Sequence, residues 1–227
     1  MVPIVTIRPA PGDAGTVAAG RAAGLTVLSH PLFSIEPVAW QAPDPGGFDA
    51  VLLGSANAVR HGGPRLAALT ALPALCVGET TATAARDAGF AIAATGTGGL
   101  QSVLPIASER GLARLLRLAG EAHVPLALPQ GMRAETRVVY RVVDHPIDDL
   151  LAAILDQGAV VLLHSGEAAT HFAREVDRRG LDRRHIALAC LAPRIADRAG
   201  EGWRALSTAA SVEDGALLAL AAQMCQA

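Results

Sequence analysis

Two stretches of the chain read as copies of one another, and a duplication of this kind restricts the fold to a pair of similar units. Residues 49–59 read DAVLLGSANAV and residues 158–170 read GAVVLLHSGEAAT, each a short apolar run broken by a serine and followed by a helix-forming stretch. Ser55 and Ser165 are the matched positions. A second matched element follows each serine, ALCVGETTATAA from Ala74 and ALACLAPRIADRA from Ala187, with Cys76 and Cys190 in register. Each copy then runs through a glycine-aromatic pair, Gly89-Phe90 or Gly202-Trp203, towards a helix expected to begin at Gly99-Leu100 or Gly215-Ala216.

A chain of 227 residues is long enough for two units that each bury a core. With 51% hydrophobic and 18% charged residues it is globular in composition, and a net charge of −2 gives no support to nucleic-acid binding. No apolar run reaches the ~20 residues of a membrane span, and no basic segment leads into an apolar one at the start, so a cytoplasmic protein without a membrane partner is expected. Three widely spaced cysteines, Cys76, Cys190 and Cys225, fit neither a disulfide framework nor a zinc site. All 19 basic residues are arginine, which excludes Schiff-base and lysine-dependent phosphate chemistry together.

Short, continuous apolar runs alternating with helical segments point to parallel α/β units with covered sheets. Val2 to Ile7 reads as a strand ending at Arg8-Pro9, Asp13 to Gly24 as a helix, and Leu25 to Leu28 as a second strand. Two extended, proline-bounded segments, PLFSIEPV (31–38) and VVYRVVDH (138–145), read as crossing connections. The expected organisation is a discontinuous α/β domain of residues 1–30 plus 147–227, an inserted α/β domain of 39–137, and connector strands at 31–38 and 138–146.

The order strand–RP, PLFSIEP, strand–SANAV, VGETTA, a glycine after LLRLA, VVYR, and a second strand–serine followed by a proline-containing loop and AGEGW resembles the uroporphyrinogen-III synthases. The resemblance runs over nearly the whole chain. It implies two parallel-sheet α/β domains joined by a two-stranded connector, with a deep interdomain cleft. The implied reaction is cofactor-free closure of the linear tetrapyrrole hydroxymethylbilane, with loss of water and inversion of the last pyrrole ring through a spiro intermediate. It further implies a monomer that takes its substrate in transient contact with hydroxymethylbilane synthase. Because the pyrrole nitrogen assists departure of the hydroxyl, the enzyme's task is mostly positioning, with one hydrogen-bond donor at the leaving group.

Tyr140, the sole tyrosine, matches the family's tyrosine at VVYR and is the expected catalytic donor. The eight substrate carboxylates call for many donors, which strand-to-helix loops supply as backbone N–H groups. Ser55, Ala56 and Asn57, the loop of Gly78, Glu79, Thr80 and Thr81, and Ser165 with Gly166 occupy such ends; the resemblance adds Gly120. Arg8 is expected to pair with a carboxylate. Where the family loop has threonines after Gly-Pro, this chain reads Ala192-Pro193-Arg194-Ile195, and Arg194 is expected to take over that contact. The stretch AHVPLALPQGMRAET, with two prolines, leaves the helix near 122–136 shortened and the sheet beside it partly uncovered.

Rival readings are weaker. GTGGLQ (96–101) places Gln101 where a dinucleotide loop needs glycine, and neither GSANA nor HSGEA satisfies G-x-S-x-G. His164 reads as a strand-end residue, and with His171 it lacks metal-ligand spacing. The alternative from another class is a non-catalytic two-domain binder for a small anionic ligand.

Overall fold

The computed structural model describes residues 2–226. By internal contacts the chain forms two compact units, Met1–Ser34 with Val143–Ala227, and Ile35–Val142. The first unit holds β1 (Ile4–Thr6), α1 (Gly12–Ala22) and β2 (Val27–Ser29). β3 (Phe33–Pro37) leads into the second unit, which continues with β4 (Ala50–Leu53), α2 (Ala56–Arg60), β5 (Ala74–Val77), α3 (Glu79–Asp87), β6 (Ile92–Gly96), α4 (Leu104–Glu109), β7 (Arg114–Gly120) and β8 (Arg133–Asp144). The chain then completes the first unit with α5 (Asp149–Asp156), β9 (Ala159–Leu163), α6 (Gly166–Arg178), β10 (Ile186–Cys190), α7 (Pro193–Ala199), β11 (Ala205–Thr208) and α8 (Asp214–Met224).

The first unit's sheet has five parallel strands in the order β11-β10-β9-β1-β2. The second has six, β3-β8-β7-β4-β5-β6, and its last five positions repeat the first sheet's order read from the other edge. The copies agree in register as well. Leu53 pairs with Cys76, and Leu163 pairs with Cys190. Carried one strand further, the register sets Arg117 opposite Leu52 where the first unit sets Thr6 opposite Leu162. The central strands are apolar on successive residues because helices cover both faces, and β4, β9 and β10 are fully buried throughout. Both strand cysteines are buried, and burial pushes their thiols up to about 11.

Several sequence expectations shift. The helix expected from Asp13 to Gly24 stops at Ala22, with Gly24 in the left-handed region at φ 74. The strand expected over Leu25–Leu28 begins only at Val27. In place of one helix from Gly99-Leu100, a 3-10 turn at Leu100–Val103 precedes α4, and α8 starts at Asp214. The second sheet is not wholly parallel. His145 N donates to Leu32 O at 2.9 Å, while Val38 N donates to Val139 O at 3.0 Å, so β3 runs antiparallel to β8 along its edge. The return segment is a strand from Arg133 onward, parallel to β7 as far as Tyr140, so residues 138–140 belong to the sheet and are more than a connector.

The units differ at one crossover. Parallel strands β1 and β2 are joined through α1, the usual solution, since a parallel pair needs a crossover and a helix fits it. Parallel strands β7 and β8 are joined by segment 121–132, which contains no helix. In the first unit the sheet face bearing Ile4, Val160 and Leu162 is covered by α8 residues Leu217, Leu218 and Ala221 with α1 residues Val17 and Ala19 against them. The corresponding face of the second unit, with Ala50, Leu52 and Leu115, is covered by Leu100, Val103, Leu104 and Ala107, helped only by Leu126 and Met132 from the helix-free segment.

Trp40 belongs to the second unit and Trp203 to the first, so each reports its own unfolding. Leu163 is fully buried, and Leu163→Ala is expected to cost about 3 kcal/mol through lost transfer energy and a cavity. In urea titrations of a Trp40→Phe background, the Trp203 transition should move to lower denaturant by that amount, whereas the Trp40 transition of a Trp203→Phe background should stay in place.

Candidate active site

The missing crossover helix leaves a cavity of about 490 Å³ in the second unit. Its wall comes from three loops and a strand end: Gly54-Ser55 after β4, Gly98 to Gln101 after β6, Arg117 to Gly120 on β7, and the start of segment 121–132; Tyr140 closes one side. Three side chains pin that segment in place of a helix. Gln101 pairs with the backbone of Ala127 in both directions, donating from Nε2 to its carbonyl at 2.7 Å and accepting its N–H at 3.1 Å. Nδ1 of His123 faces the carbonyls of Gly120 (2.8 Å) and Glu121 (3.1 Å), which makes it the protonated ring nitrogen. Arg117 donates from Nη1 to the Val124 carbonyl at 2.7 Å.

Tyr140 sits where it does because position 120 is glycine. A Cβ on Gly120 would lie 2.7 Å from two ring carbons of Tyr140 and 3.0 Å from its hydroxyl oxygen, so the ring rests directly on the backbone of β7. The backbone adds a lock, Glu121 N donating to Tyr140 O at 2.9 Å. His61 lies near the ring, with centroids 6.4 Å apart; burial, followed by the charge of Arg60, holds the His61 imidazole below its ordinary value. Among the described residues the Tyr140 hydroxyl has no protein hydrogen-bond partner, which leaves it free to donate into the cavity. Its neighbour Arg141 pairs outward with Glu36 at 2.8 Å.

Ser55, Gly120 and Tyr140 are therefore brought together. Ser55 also caps α2, accepting from Asn57 N at 3.2 Å, which still leaves its hydroxyl proton available. Ala56 is buried behind it, and Asn57 accepts from Arg60. The Gly78–Thr81 loop does not line this cavity: Gly78 N is used by Gly96 O, Glu79 pairs with Arg86 at 2.7 Å, Thr80 is exposed and Thr81 buried. The Arg86 hydrogen bond holds the Glu79 carboxyl below its ordinary value. Sequence reasoning misses Arg117, Gly98, Gly99 and His123. An arginine set among leucines in RLLRLAG is the available signal for the first.

With this geometry in place, comparison with known proteins decides the family. The family model for uroporphyrinogen-III synthase HemD matches residues 15–219. The chain belongs to the uroporphyrinogen-III synthase family. It is accordingly a cyclising lyase of haem biosynthesis. The fold is similar to that of uroporphyrinogen-III synthetase from Helicobacter pylori, at 18% identity and a TM-score of 0.70, covering 99% of this chain and 100% of that one. It is also similar to a mutant uroporphyrinogen III synthase from the extremely thermophilic bacterium Thermus thermophilus, at 17% identity and a TM-score of 0.56, covering 100% and 99%. No curated protein matches the sequence. No described helix is long and apolar enough to cross a membrane, and no described cluster of side chains could hold a metal ion.

The first unit's candidate residues other than Arg194 have structural contacts of their own. Ser165 caps α6 by accepting from Ala168 N at 3.1 Å. Gly166 lies against the stem of Arg198, where a Cβ would come within 3.2 Å. Arg194 is exposed in the first turn of α7. Arg8 is engaged within the protein, donating to Asp214 at 3.1 Å and to Thr16 at 3.2 Å, while Thr16 donates to Asp214 at 3.0 Å. Arg8, expected to pair with a substrate carboxylate, is paired in this structure with a carboxylate of the protein.

His164 lies against this group, Nε2 at 3.3 Å from Asp214, with its side chain only 10% exposed and neither ring nitrogen in a well-formed hydrogen bond. Burial first, then the charge of Arg8, lowers it to about 4, against the opposing pull of Asp214. Well above pH 6.5 the imidazole is neutral in folded and unfolded chains alike. As pH falls from 6.5 towards 4 the unfolded chain takes up a proton that the folded one refuses, so stability drops through that window by roughly 3 kcal/mol. Urea denaturation across this range should show the loss, and His164→Gln should flatten that part of the slope.

Proposed function

We propose that the cavity of the second unit holds the reacting end of hydroxymethylbilane, with Tyr140 donating a hydrogen bond to the departing hydroxyl. The observation that carries this reading is the phenol itself: the chain's one tyrosine, seated on Gly120, lines the cavity with its hydroxyl unused by the described residues. The pyrrole nitrogen pushes electrons into the ring as the C–O bond breaks, the hydroxyl takes the Tyr140 proton and leaves as water, and the proton that a pyrrole carbon loses on ring closure restores the phenol. The ring atom that is attacked is then chosen by how the linear chain is folded, which is a matter of positioning. Small residues at Gly54, Gly98 and Gly99 let a bulky, polyanionic ligand reach the loop backbones. The Ser55 hydroxyl supplies a neutral donor beside them.

The test is incubation with enzymatically generated hydroxymethylbilane, followed by isomer analysis of the oxidised product. The type III isomer is expected; the type I isomer alone would mean that the chain binds without inverting the ring. Tyr140→Phe keeps the ring on Gly120 and removes only the oxygen, so its stability should stay within about 0.5 kcal/mol of wild type. Turnover should fall about 10- to 100-fold, because the donor strengthens as the C–O bond breaks and the substrate assists itself. Full turnover with an unchanged isomer ratio would make the phenol structural.

A further inference from the structure

Arg117 pins segment 121–132 through a single N–H, a role that does not account for a whole guanidinium in the cavity wall. It stands on β7 at the place that Thr6 occupies in the first unit, on a face otherwise made of Leu52, Leu115, Leu100 and Val103. It is 8% exposed. Of the five N–H groups of its guanidinium, one meets the Val124 carbonyl, while Nε is buried without any partner, and no carboxylate pairs with it among the described residues. No acidic side chain lines the cavity among the described residues. Burial holds this guanidinium below its ordinary value, with Tyr140 acting in the opposite sense. A buried cation with a single neutral acceptor is costly, and the cost is offset when an anion joins it.

We propose that Arg117 is a carboxylate-binding residue of the cavity, gripping one acetate or propionate side chain of the tetrapyrrole beside Tyr140. A planar guanidinium with N–H groups left over matches a carboxylate bidentately. Segment 121–132 makes the subsite possible, because in the absence of a crossover helix the long side chain lies under a loop and beside an opening instead of under packed apolar residues. The Val124 carbonyl holds the guanidinium in place, and Val124 itself, 77% exposed, leaves the rim open.

This inference rests on the cavity being the tetrapyrrole site, and the experiment separates the two. The probe is uroporphyrin III, a stable octacarboxylate, titrated against wild type, Arg117→Gln and Arg117→Lys. Arg117→Gln keeps a neutral donor and loses the charge, so Kd should rise about tenfold to a hundredfold. Arg117→Lys, a single-point cation, should fall between. In wild-type protein, where folding is not in question, the Nε–H resonance of Arg117 should shift on saturation with the porphyrin. An unchanged Kd for Arg117→Gln, or an Arg117 resonance indifferent to the ligand, overturns the subsite. A wild-type enzyme that forms the type III isomer while Arg117 proves indifferent loses only the subsite; one that forms the type I isomer alone loses the catalytic reading, whatever Arg117 does.

Discussion

A parallel pair of strands must be joined by a crossover, and in the second unit that crossover is made without a helix. Most of what distinguishes this chain's candidate site follows from that constraint. Segment 121–132 cannot bury an apolar stripe as α1 does, so the sheet face next to β7 keeps an opening, and polar side chains hold the segment down. Gln101, His123 and Arg117 each take backbone groups that a helix would have satisfied internally. All three also line the cavity they help to form. Structural pinning and ligand binding are thus drawn from the same residues.

The duplication makes the comparison internal to one chain. In the first unit the position equivalent to Arg117 is Thr6, wholly buried, and the strand end carries Arg8, locked to Asp214 and Thr16. In the second unit the cation has moved into the strand and lacks a carboxylate among the described residues, while the strand end is Gly120, reduced to hydrogen so that Tyr140 can lie on it. One copy therefore compensates its arginine within the protein, and the other leaves the compensation to a ligand. Neutral capping serines at Ser55 and Ser165 are common to both.

The repeats are legible in the sequence because parallel strands buried on both faces leave a continuous apolar run, and the serine that ends each run is a helix cap. Matching Ser55 with Ser165 and Cys76 with Cys190 recovers the strand register itself. Tyr140 stands out as the chain's only phenol. The two prolines after Gly120 point to a shortened helix near 122–136, whereas segment 121–132 has none, and they do not show what fills the gap. Arg117 stays hidden because an arginine in an apolar strand has no local meaning: its role depends on which face it takes and what covers that face. The protein partner of Arg8 stays hidden for a similar reason. Its carboxylate partner lies 206 residues away, a pairing that strand-end chemistry alone does not reveal.

If the helix-free crossover creates the ligand site of the second unit, a bound ligand must protect the segments around it. Amide hydrogen exchange of the wild-type chain, with and without saturating uroporphyrin III, addresses it most directly. Slowed exchange is expected at residues 98–101 and 119–126, where backbone N–H groups surround the cavity, with Tyr140 protected alongside them. Protection confined to other loops, with these two segments exchanging as in the free protein, would contradict it.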